Sequence, residues 1–117
     1  MKVYCYIRCS TCKNALKWLD DKGIKYELID IKENHPSEEE LRKYHAMSGL
    51  PLKRFWNTSG IPYREMGLSK KLKEMSEDEQ FALLATDGML VKRPLVVGTG
   101  LLLAGFRERE WADQLLG

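Results

Sequence analysis

The chain has 117 residues, of which 44% are hydrophobic and 31% are charged, and its net charge is +2. This length suits one domain, residues 1–117, and the apolar fraction suffices for a folded core, which argues against intrinsic disorder. Basic and acidic residues alternate along the chain, and no apolar run reaches the roughly 18–20 residues of a membrane span. We therefore expect neither direct DNA binding nor membrane insertion.

The amino-terminal part predicts a strand, a helix and a second strand. Residues 2–7 are β-branched and aromatic, as in strands, whereas residues 13–21 have apolar side chains at helical spacing, and Gly23 suits the end of that helix. Residues 26–31 alternate between apolar and polar, which predicts the second strand. A strand–helix–strand unit of this length implies two parallel strands joined by a right-handed crossover.

The middle of the chain, about residues 33–92, predicts helices and turns. Two serine-to-glutamate spacings have the form of capping boxes, in which each side chain bonds the backbone N–H of the other residue. These pairs are Ser37 with Glu40 and Ser76 with Glu79. The segment between the pairs is rich in glycine, proline and small polar residues, which favours short helices. Gly88 is predicted to end the helix that follows Ser76.

The carboxy-terminal part predicts a hairpin and a last helix. Residues 94–98 and 101–104 are short apolar strands around the turn 98–100, and residues 107–116 place apolar side chains on one side of a helix. The element order β-α-β, helical block, β-β-α indicates an α/β protein. We predict a thioredoxin-like fold with a mixed sheet of about four strands and an all-helical insertion at about 33–92.

Two of the three cysteines, Cys9 and Cys12, form a Cys-x-x-Cys motif between the first strand and the first helix. A small, odd number of cysteines does not suit a secreted disulfide scaffold. The amino terminus also lacks the apolar core and cleavage site of a secretion signal, so we expect a cytoplasmic protein. In that reducing compartment the motif indicates redox chemistry or metal binding.

The position of the motif favours redox chemistry. A sulfur at a helix N-terminus faces free backbone N–H groups and the positive end of the helix dipole, which stabilise a thiolate. Arg8 and Lys13 add positive charge on either side. We predict that Cys9 is the nucleophile and that Cys12, one turn into the helix, is the resolving thiol of a reversible disulfide.

Ser10 and Thr11, between the cysteines, can offer hydroxyl groups to the thiolate or to a bound oxyanion.

Two other interpretations of the motif are a chance pair of cysteines and a zinc site. A structural zinc site needs about four ligands, and the other candidates, Cys5, His35 and His45, lack metal-binding spacing. We interpret Cys5 as a small buried apolar residue and the histidines as ordinary surface or packed residues, and we expect no metal.

The tripeptide Lys92-Arg93-Pro94 precedes the predicted hairpin. A proline that opens a strand does not interrupt its hydrogen-bond ladder. In a thioredoxin-like fold Pro94 faces the Cys-x-x-Cys turn with a cis peptide bond, and Arg93 points its guanidinium at the Cys9 thiolate or at an oxyanion bound there. The alternative interpretation is a pair of solvated basic residues.

With these motifs in this order, the chain resembles the ArsC-type arsenate reductase family, which includes the Spx and MgsR redox regulators. The resemblance covers essentially the whole chain and rests on YIRCSTCKNALKWL, LKRFWNTSGIPYREMGLSKKL, MSEDEQFALLATDGMLVKRPLVV and AGFRERE. It is greatest to the small arsenate reductase-like thiol oxidoreductases. The resemblance implies a thioredoxin-like fold with a helical insertion, a nucleophile at Cys9 and an arginine at Arg93 that steadies the thiolate and a bound oxyanion.

The chain departs from the arsenate reductases at three positions. Asn57 and Phe106 stand where the glutaredoxin-linked enzymes have two further arginines, and Cys12 replaces a serine. One arginine in place of three implies the loss of charge-assisted bonds of roughly 1.5–3 kcal/mol each, and hence weaker arsenate reduction.

The sequence leaves three hypotheses for the function. The first is a cytoplasmic thiol–disulfide oxidoreductase without a cofactor, which thioredoxin, or glutaredoxin with glutathione, would return to its reduced form. The second, which the resemblance implies through the Cys-x-x-Cys switch of the Spx-like branch, is a redox-sensing transcriptional regulator that binds the alpha subunit of RNA polymerase. The third is a thioredoxin-like protein that keeps the motif without turnover, because a fold does not imply a function.

Overall fold

Four short strands form one mixed sheet in the computed structural model, which describes residues 1–117. The strands are β1 (Lys2–Cys5), β2 (Glu27–Asp30), β3 (Leu95–Gly98) and β4 (Leu101–Ala104), and their spatial order is β2-β1-β3-β4. Strand β1 runs parallel to β2 and antiparallel to β3, and β3 pairs with β4 in antiparallel fashion. The predicted mixed sheet of four strands is therefore confirmed.

Helix α1 (Ser10–Asp21) connects β1 to β2, as a parallel pair requires. It begins at Ser10 rather than at residue 13, because the Cys-x-x-Cys segment itself forms the first turn. Strand β1 ends at Cys5 rather than at residue 7, since the following residues turn into α1. Gly23 follows α1 with a φ of 68°, a left-handed conformation that glycine adopts without steric cost, and it ends the helix as predicted.

The chain between β2 and β3 is helical. Its helices are α2 (Glu38–Ser48), α3 (Ile61–Glu65), α4 (Leu68–Lys71) and α5 (Glu77–Leu84), joined by loops and short 3-10 turns. Both predicted capping boxes are present: the Ser37 and Ser76 hydroxyls accept from the backbone N–H groups of Glu40 and Glu79 at 3.1 Å. The last helix, α6 (Glu108–Leu115), follows β4.

The prediction that Gly88 ends the helix after Ser76 is wrong. Helix α5 ends at Leu84, and Gly88 instead begins a short 3-10 turn. Glycine is needed there for space, because a Cβ atom would overlap the carbonyl oxygen of Ile31. The end of the helical insertion thus packs backbone to backbone against its beginning.

The two faces of the sheet carry separate apolar clusters, because successive strand residues point to opposite sides. One face packs against α1 and α6, and its cluster includes Val3, Val96, Leu103 and Trp111. The other face packs against the helical insertion, and its cluster includes Tyr4, Leu95, Ala104 and Phe55. The sheet therefore lies between two layers of helices. No helix combines the length and the apolar character needed to cross a bilayer.

Candidate active site

Cys9 stands at the N-terminus of α1. It precedes the first helical turn with extended backbone angles (φ −88°, ψ 118°), and its side chain makes no capping hydrogen bond. The Cys9 N–H donates to the Tyr6 carbonyl at 3.0 Å, which holds the turn. The first turn of α1 contains no acidic residue, so the free N–H groups and the helix dipole act on the half-buried sulfur without a competing carboxylate. The N-terminus of α1 therefore places an electropositive environment around this sulfur.

A pocket of about 670 Å³ includes Cys9 in its wall. Of the 19 residues that line the pocket, six are basic and none is an aspartate or glutamate. The basic residues are Arg8, Lys53, Arg54, Lys92, Arg93 and Arg107. We call this space the cationic pocket. Such a concentration of positive charge in a concave site favours an anionic occupant, such as an oxyanion or a carboxylate-bearing molecule.

The positive charges of the cationic pocket have no acidic partner within the chain. Both ion pairs of the protein are made by Arg42, which lies on α2 and outside the pocket. Two of the pocket arginines are instead held by backbone carbonyls: Arg54 Nη2 donates to Ala104 at 3.2 Å, and Arg93 Nη1 donates to Met89 at 3.4 Å. Their charge therefore remains available to a bound anion.

Arg93 is the most constrained of these side chains. The Arg93–Pro94 peptide bond is cis, which confirms that part of the prediction. The Arg93 guanidinium carbon lies 5.4 Å from the centre of the Tyr6 ring. Its Nε atom is buried without a hydrogen-bond acceptor. An unpaired buried donor costs about 1–3 kcal/mol, so an anion that supplied the missing acceptor would be stabilised at Arg93.

Cys12 lies one turn into α1 and is buried, with 1% of its surface exposed. A hydrogen bond with the side chain of Cys5, followed by burial, raises the pKa of Cys12 far above the usual range of a thiol. A weaker hydrogen bond with Cys9 acts in the opposite direction. Cys12 is therefore protonated at neutral pH, and Cys9 packs at the edge of the buried cluster that contains it.

The other predicted site residues divide between two sides of the turn. Ser10 and Thr11 line the cationic pocket together with Cys9. Lys13 lines a different pocket, and the contribution of its charge beside Cys9 stays a prediction. Pro94 is buried and does not line the cationic pocket, but its carbonyl accepts from the Gly105 N–H at 2.9 Å.

Asn57 and Phe106 both line the cationic pocket. Asn57 is buried, and its Nδ2 donates to the Met89 carbonyl at 3.4 Å, the same carbonyl that Arg93 contacts. Phe106 packs edge-on against Trp111, with 4.8 Å between the ring centres. These two residues thus shape the wall of the cationic pocket and add no charge to it. The positive charge of the cationic pocket comes from other positions, and binding of an oxyanion by one arginine rather than three stays a prediction.

Sequence reasoning missed Lys53, Arg54 and Arg107 as pocket residues. A signal for them exists: residues 1–19, 41–64 and 88–107 contain no aspartate or glutamate, so the predicted alternation of charges does not hold there. Every residue that lines the cationic pocket falls in one of these three stretches. The fold brings the three stretches together and leaves the carboxylates elsewhere.

The remaining candidates occupy structural positions. Cys5 is buried in the apolar cluster beneath α1, as predicted. His45 packs edge-on against Phe55, and His35 Nδ1 lies 3.2 Å from the Pro36 carbonyl oxygen. No three His, Cys, Asp or Glu side chains come together at metal-binding spacing.

We expect iodoacetamide to modify Cys9 well before Cys12 in the folded protein. The thiolate is the reactive form, and both the raised pKa and the burial of Cys12 oppose its reaction. Limited alkylation followed by tandem mass spectrometry measures the order. In urea, where burial is lost, the two cysteines should react at similar rates, and earlier modification of Cys12 in the folded protein would contradict this prediction.

Comparison with known proteins gives the family. The ArsC family profile matches residues 4–114. An uncharacterised protein of Bacillus subtilis (strain 168), YusI, is 49% identical over 110 residues, which make up 94% of this chain and 93% of that protein. The arsenate reductase of Rhizobium meliloti (strain 1021) is 29% identical over 89 residues, which make up 76% of this chain and 62% of that protein.

Solved structures agree with this assignment. An ArsC-family-related protein from Bacteroides fragilis has a TM-score of 0.93 at 49% identity, with 96% of this chain and 94% of that chain covered. The arsenate reductase from Vibrio cholerae has a TM-score of 0.77 at 28% identity, with 99% and 97% covered. These likenesses confirm the thioredoxin-like fold and support a thiol oxidoreductase-like role. The chain belongs to the ArsC family.

Proposed function

We propose that the protein is a cytoplasmic thiol–disulfide oxidoreductase for anionic substrates, with Cys9 as the nucleophile and Cys12 as the resolving thiol. One observation carries the proposal: Cys9 lies at the N-terminus of α1 in a pocket with six basic and no acidic residues. Membership of the ArsC family supports thiol chemistry at this position. The packing of Cys9 against the buried cluster that contains Cys12, one helical turn further along α1, supports their action as a pair.

The reaction has two exchange steps. The Cys9 thiolate attacks one sulfur of a substrate disulfide, the substrate S–S bond breaks, and the departing half leaves as a thiolate that takes up a proton. Cys12 then gives up its proton and attacks the Cys9 sulfur of the mixed disulfide, which releases the second half of the substrate as a thiol. The substrate gains two electrons and two protons, and the chain is left with a Cys9–Cys12 disulfide. Thioredoxin, or glutathione through glutaredoxin, reduces that disulfide.

The surrounding residues assist these steps through charge and hydrogen bonding. Arg93 stabilises the Cys9 thiolate and the departing thiolate, because its guanidinium is not neutralised by a carboxylate. Ser10 and Thr11 offer hydroxyl donors on the same wall of the cationic pocket. Pro94 ties the segment that carries Arg93 to the pocket wall, because its carbonyl accepts from the N–H of Gly105.

The proposal is tested by NADPH consumption with the purified protein. The protein is coupled in turn to thioredoxin with its reductase, and to glutaredoxin with glutathione and its reductase, and the rate without the protein is subtracted. We expect turnover of small disulfides under at least one couple and weaker turnover of arsenate. Absence of disulfide turnover under both couples would contradict the proposal.

The charge of the cationic pocket predicts a preference among disulfides. At low ionic strength we expect kcat/KM for the dianionic disulfide of 3-mercaptopropionate to exceed that for the neutral disulfide of 2-mercaptoethanol by about tenfold. The preference should shrink as salt is added, because salt screens the attraction. Equal values of kcat/KM for the two substrates at low ionic strength would contradict a preference for anionic substrates.

A pair of charge-reversal variants separates the pocket from the overall charge. Lys53→Glu changes a residue of the cationic pocket, whereas Lys70→Glu makes the same change on α4, at an exposed residue outside the pocket. Both variants have the same net charge. Only Lys53→Glu should lower the preference for the dianionic disulfide.

A further inference from the structure

Cys5 is a third thiol that the proposed reaction does not use. It is the last residue of β1, and it is buried with 4% of its surface exposed. It belongs to the same apolar cluster as Cys12, between the sheet and α1. All three cysteines of the chain are free thiols.

The fold places Cys5 against Cys12 for simple geometric reasons. Val3 and Cys5 are two residues apart on β1, so both side chains point to the sheet face that α1 covers. Cys12 and Ala15 are three residues apart on α1, so both point down to that face. The thiols of Cys5 and Cys12 therefore meet between strand and helix.

Cys12 is the middle member of a row of three thiols. Its hydrogen bond with Cys5 has a larger effect on its ionisation than its hydrogen bond with Cys9. Cys5 and Cys12 also belong to one buried cluster, and Cys9 packs against that cluster from its edge. A disulfide is exchanged when a third thiolate reaches one of its two sulfurs, and Cys5 has this relation to a Cys9–Cys12 disulfide.

The two outer thiols open onto different pockets. Cys9 lines the cationic pocket, where neither Cys5 nor Cys12 is found. Cys5 and Cys12 line a second pocket, of about 350 Å³, together with the apolar side chains of Ile7, Leu16 and Leu28. Cys9 does not line this second pocket. The row of thiols therefore leads from the cationic pocket to one lined mainly by apolar side chains, with Lys13 and Asp30 as its charged residues.

We propose that Cys5 is a second resolving thiol, which accepts the disulfide from Cys9 and Cys12. This inference rests on the proposed function, since that function supplies the Cys9–Cys12 disulfide. Cys5 gives up its proton and attacks the Cys12 sulfur, the Cys9–Cys12 bond breaks, and Cys9 leaves as a thiolate. One disulfide is present before the step and one after it, so no oxidant or reductant is consumed.

The exchange separates the two halves of the catalytic cycle in space. The departing Cys9 thiolate returns to the N-terminus of α1, which stabilises it, and faces the cationic pocket again. The Cys5–Cys12 disulfide then lies at the second pocket. The nucleophile is thereby free before any external reductant has acted.

Disulfide mapping of the wild-type chain tests the relay directly. Trypsin cuts after Lys2, Arg8 and Lys13, so Cys5 lies in fragment 3–8 while Cys9 and Cys12 share fragment 9–13. The reduced protein is oxidised with an equimolar amount of diamide, its remaining thiol is blocked with iodoacetamide, and the digest is analysed by mass spectrometry. We expect fragments 3–8 and 9–13 to be joined, with the blocking group on Cys9. If the sole disulfide detected is the internal one in fragment 9–13, the relay is overturned.

Two variants provide the matched controls. In Cys9→Ser, the two remaining thiols, Cys5 and Cys12, are buried and lack the thiol that delivers the disulfide, so we expect the joined fragments to form much more slowly than in the wild-type chain. In Cys5→Ala, we expect the joined fragments to vanish and the internal disulfide of fragment 9–13 to remain. Joined fragments that form as fast in Cys9→Ser as in the wild-type chain would also overturn the relay.

The outcomes separate this inference from the proposed function. A protein that reduces disulfides but forms only the Cys9–Cys12 disulfide retains the function and loses the relay. A protein that forms the joined fragments but reduces no disulfide substrate loses the function and retains the exchange between Cys12 and Cys5.

Discussion

Replacing Cys9 with serine is expected to lower disulfide turnover to less than about a thousandth of the wild-type rate, because loss of the nucleophile removes the covalent step itself. A serine hydroxyl at the same helix N-terminus is not ionised at neutral pH and forms no mixed disulfide. The measurement is the coupled NADPH assay, run with each reducing system. The cationic pocket should still bind anions in this variant, because its basic residues are unchanged.

Cys12→Ser is the control that distinguishes attack from resolution. This variant keeps Cys9, so it should form one mixed disulfide per chain with the substrate while its steady-state turnover falls. Mass spectrometry of the trapped species locates the bond. The assignment of Cys9 fails if Cys9→Ser still forms a mixed disulfide in the folded state, or if Cys12→Ser forms none.

Trp111→Ala is expected to destabilise the protein by roughly 3–5 kcal/mol, as for other large buried aromatic residues. Trp111 has no exposed surface, and its ring packs against Trp18 and Phe106 at centroid distances of 6.1 and 4.8 Å. Its Nε1 also donates to the Gly105 carbonyl at 3.0 Å. Urea unfolding followed by circular dichroism measures the loss.

Trp111→Phe separates packing from hydrogen bonding. Phenylalanine keeps most of the buried ring but leaves the buried Gly105 carbonyl without its donor, which should cost about 1–3 kcal/mol. Gly105 and Phe106 both line the cationic pocket, so the alanine variant should also show a weaker preference for dianionic disulfides. Equal stability of the two variants would show that packing by Trp111 contributes little.

The elements of this fold were predictable because their signals are local. The capping boxes at Ser37 and Ser76 depend on residues three positions apart, and both are present. The parallel pairing of β1 and β2 follows from the length of the α1 connection. The turn between β3 and β4 depends on Gly100, whose φ is 67°. Predictions of this kind need no knowledge of distant contacts.

The parts that escaped prediction depend on contacts between distant residues. The prediction for Gly88 is wrong because the carbonyl of Ile31, which leaves no space for a side chain at this position, lies 57 residues earlier in the sequence. Arg54 reaches the cationic pocket through a hydrogen bond to Ala104, 50 residues along the chain. The position of the nucleophile was predictable, whereas the set of basic residues around it emerged only from the fold.

The contact between Gly88 and Ile31 bears on how this architecture can change during evolution. The helical insertion leaves and rejoins the sheet at one place, so its loops can lengthen or shorten without displacing β2 or β3. It cannot be lost, because it covers the sheet face that carries Tyr4 and Leu95. It also supplies Lys53 and Arg54, whereas the three thiols lie on the opposite layer or at its edge. Substrate preference can therefore diverge within the insertion while the redox chemistry is inherited unchanged.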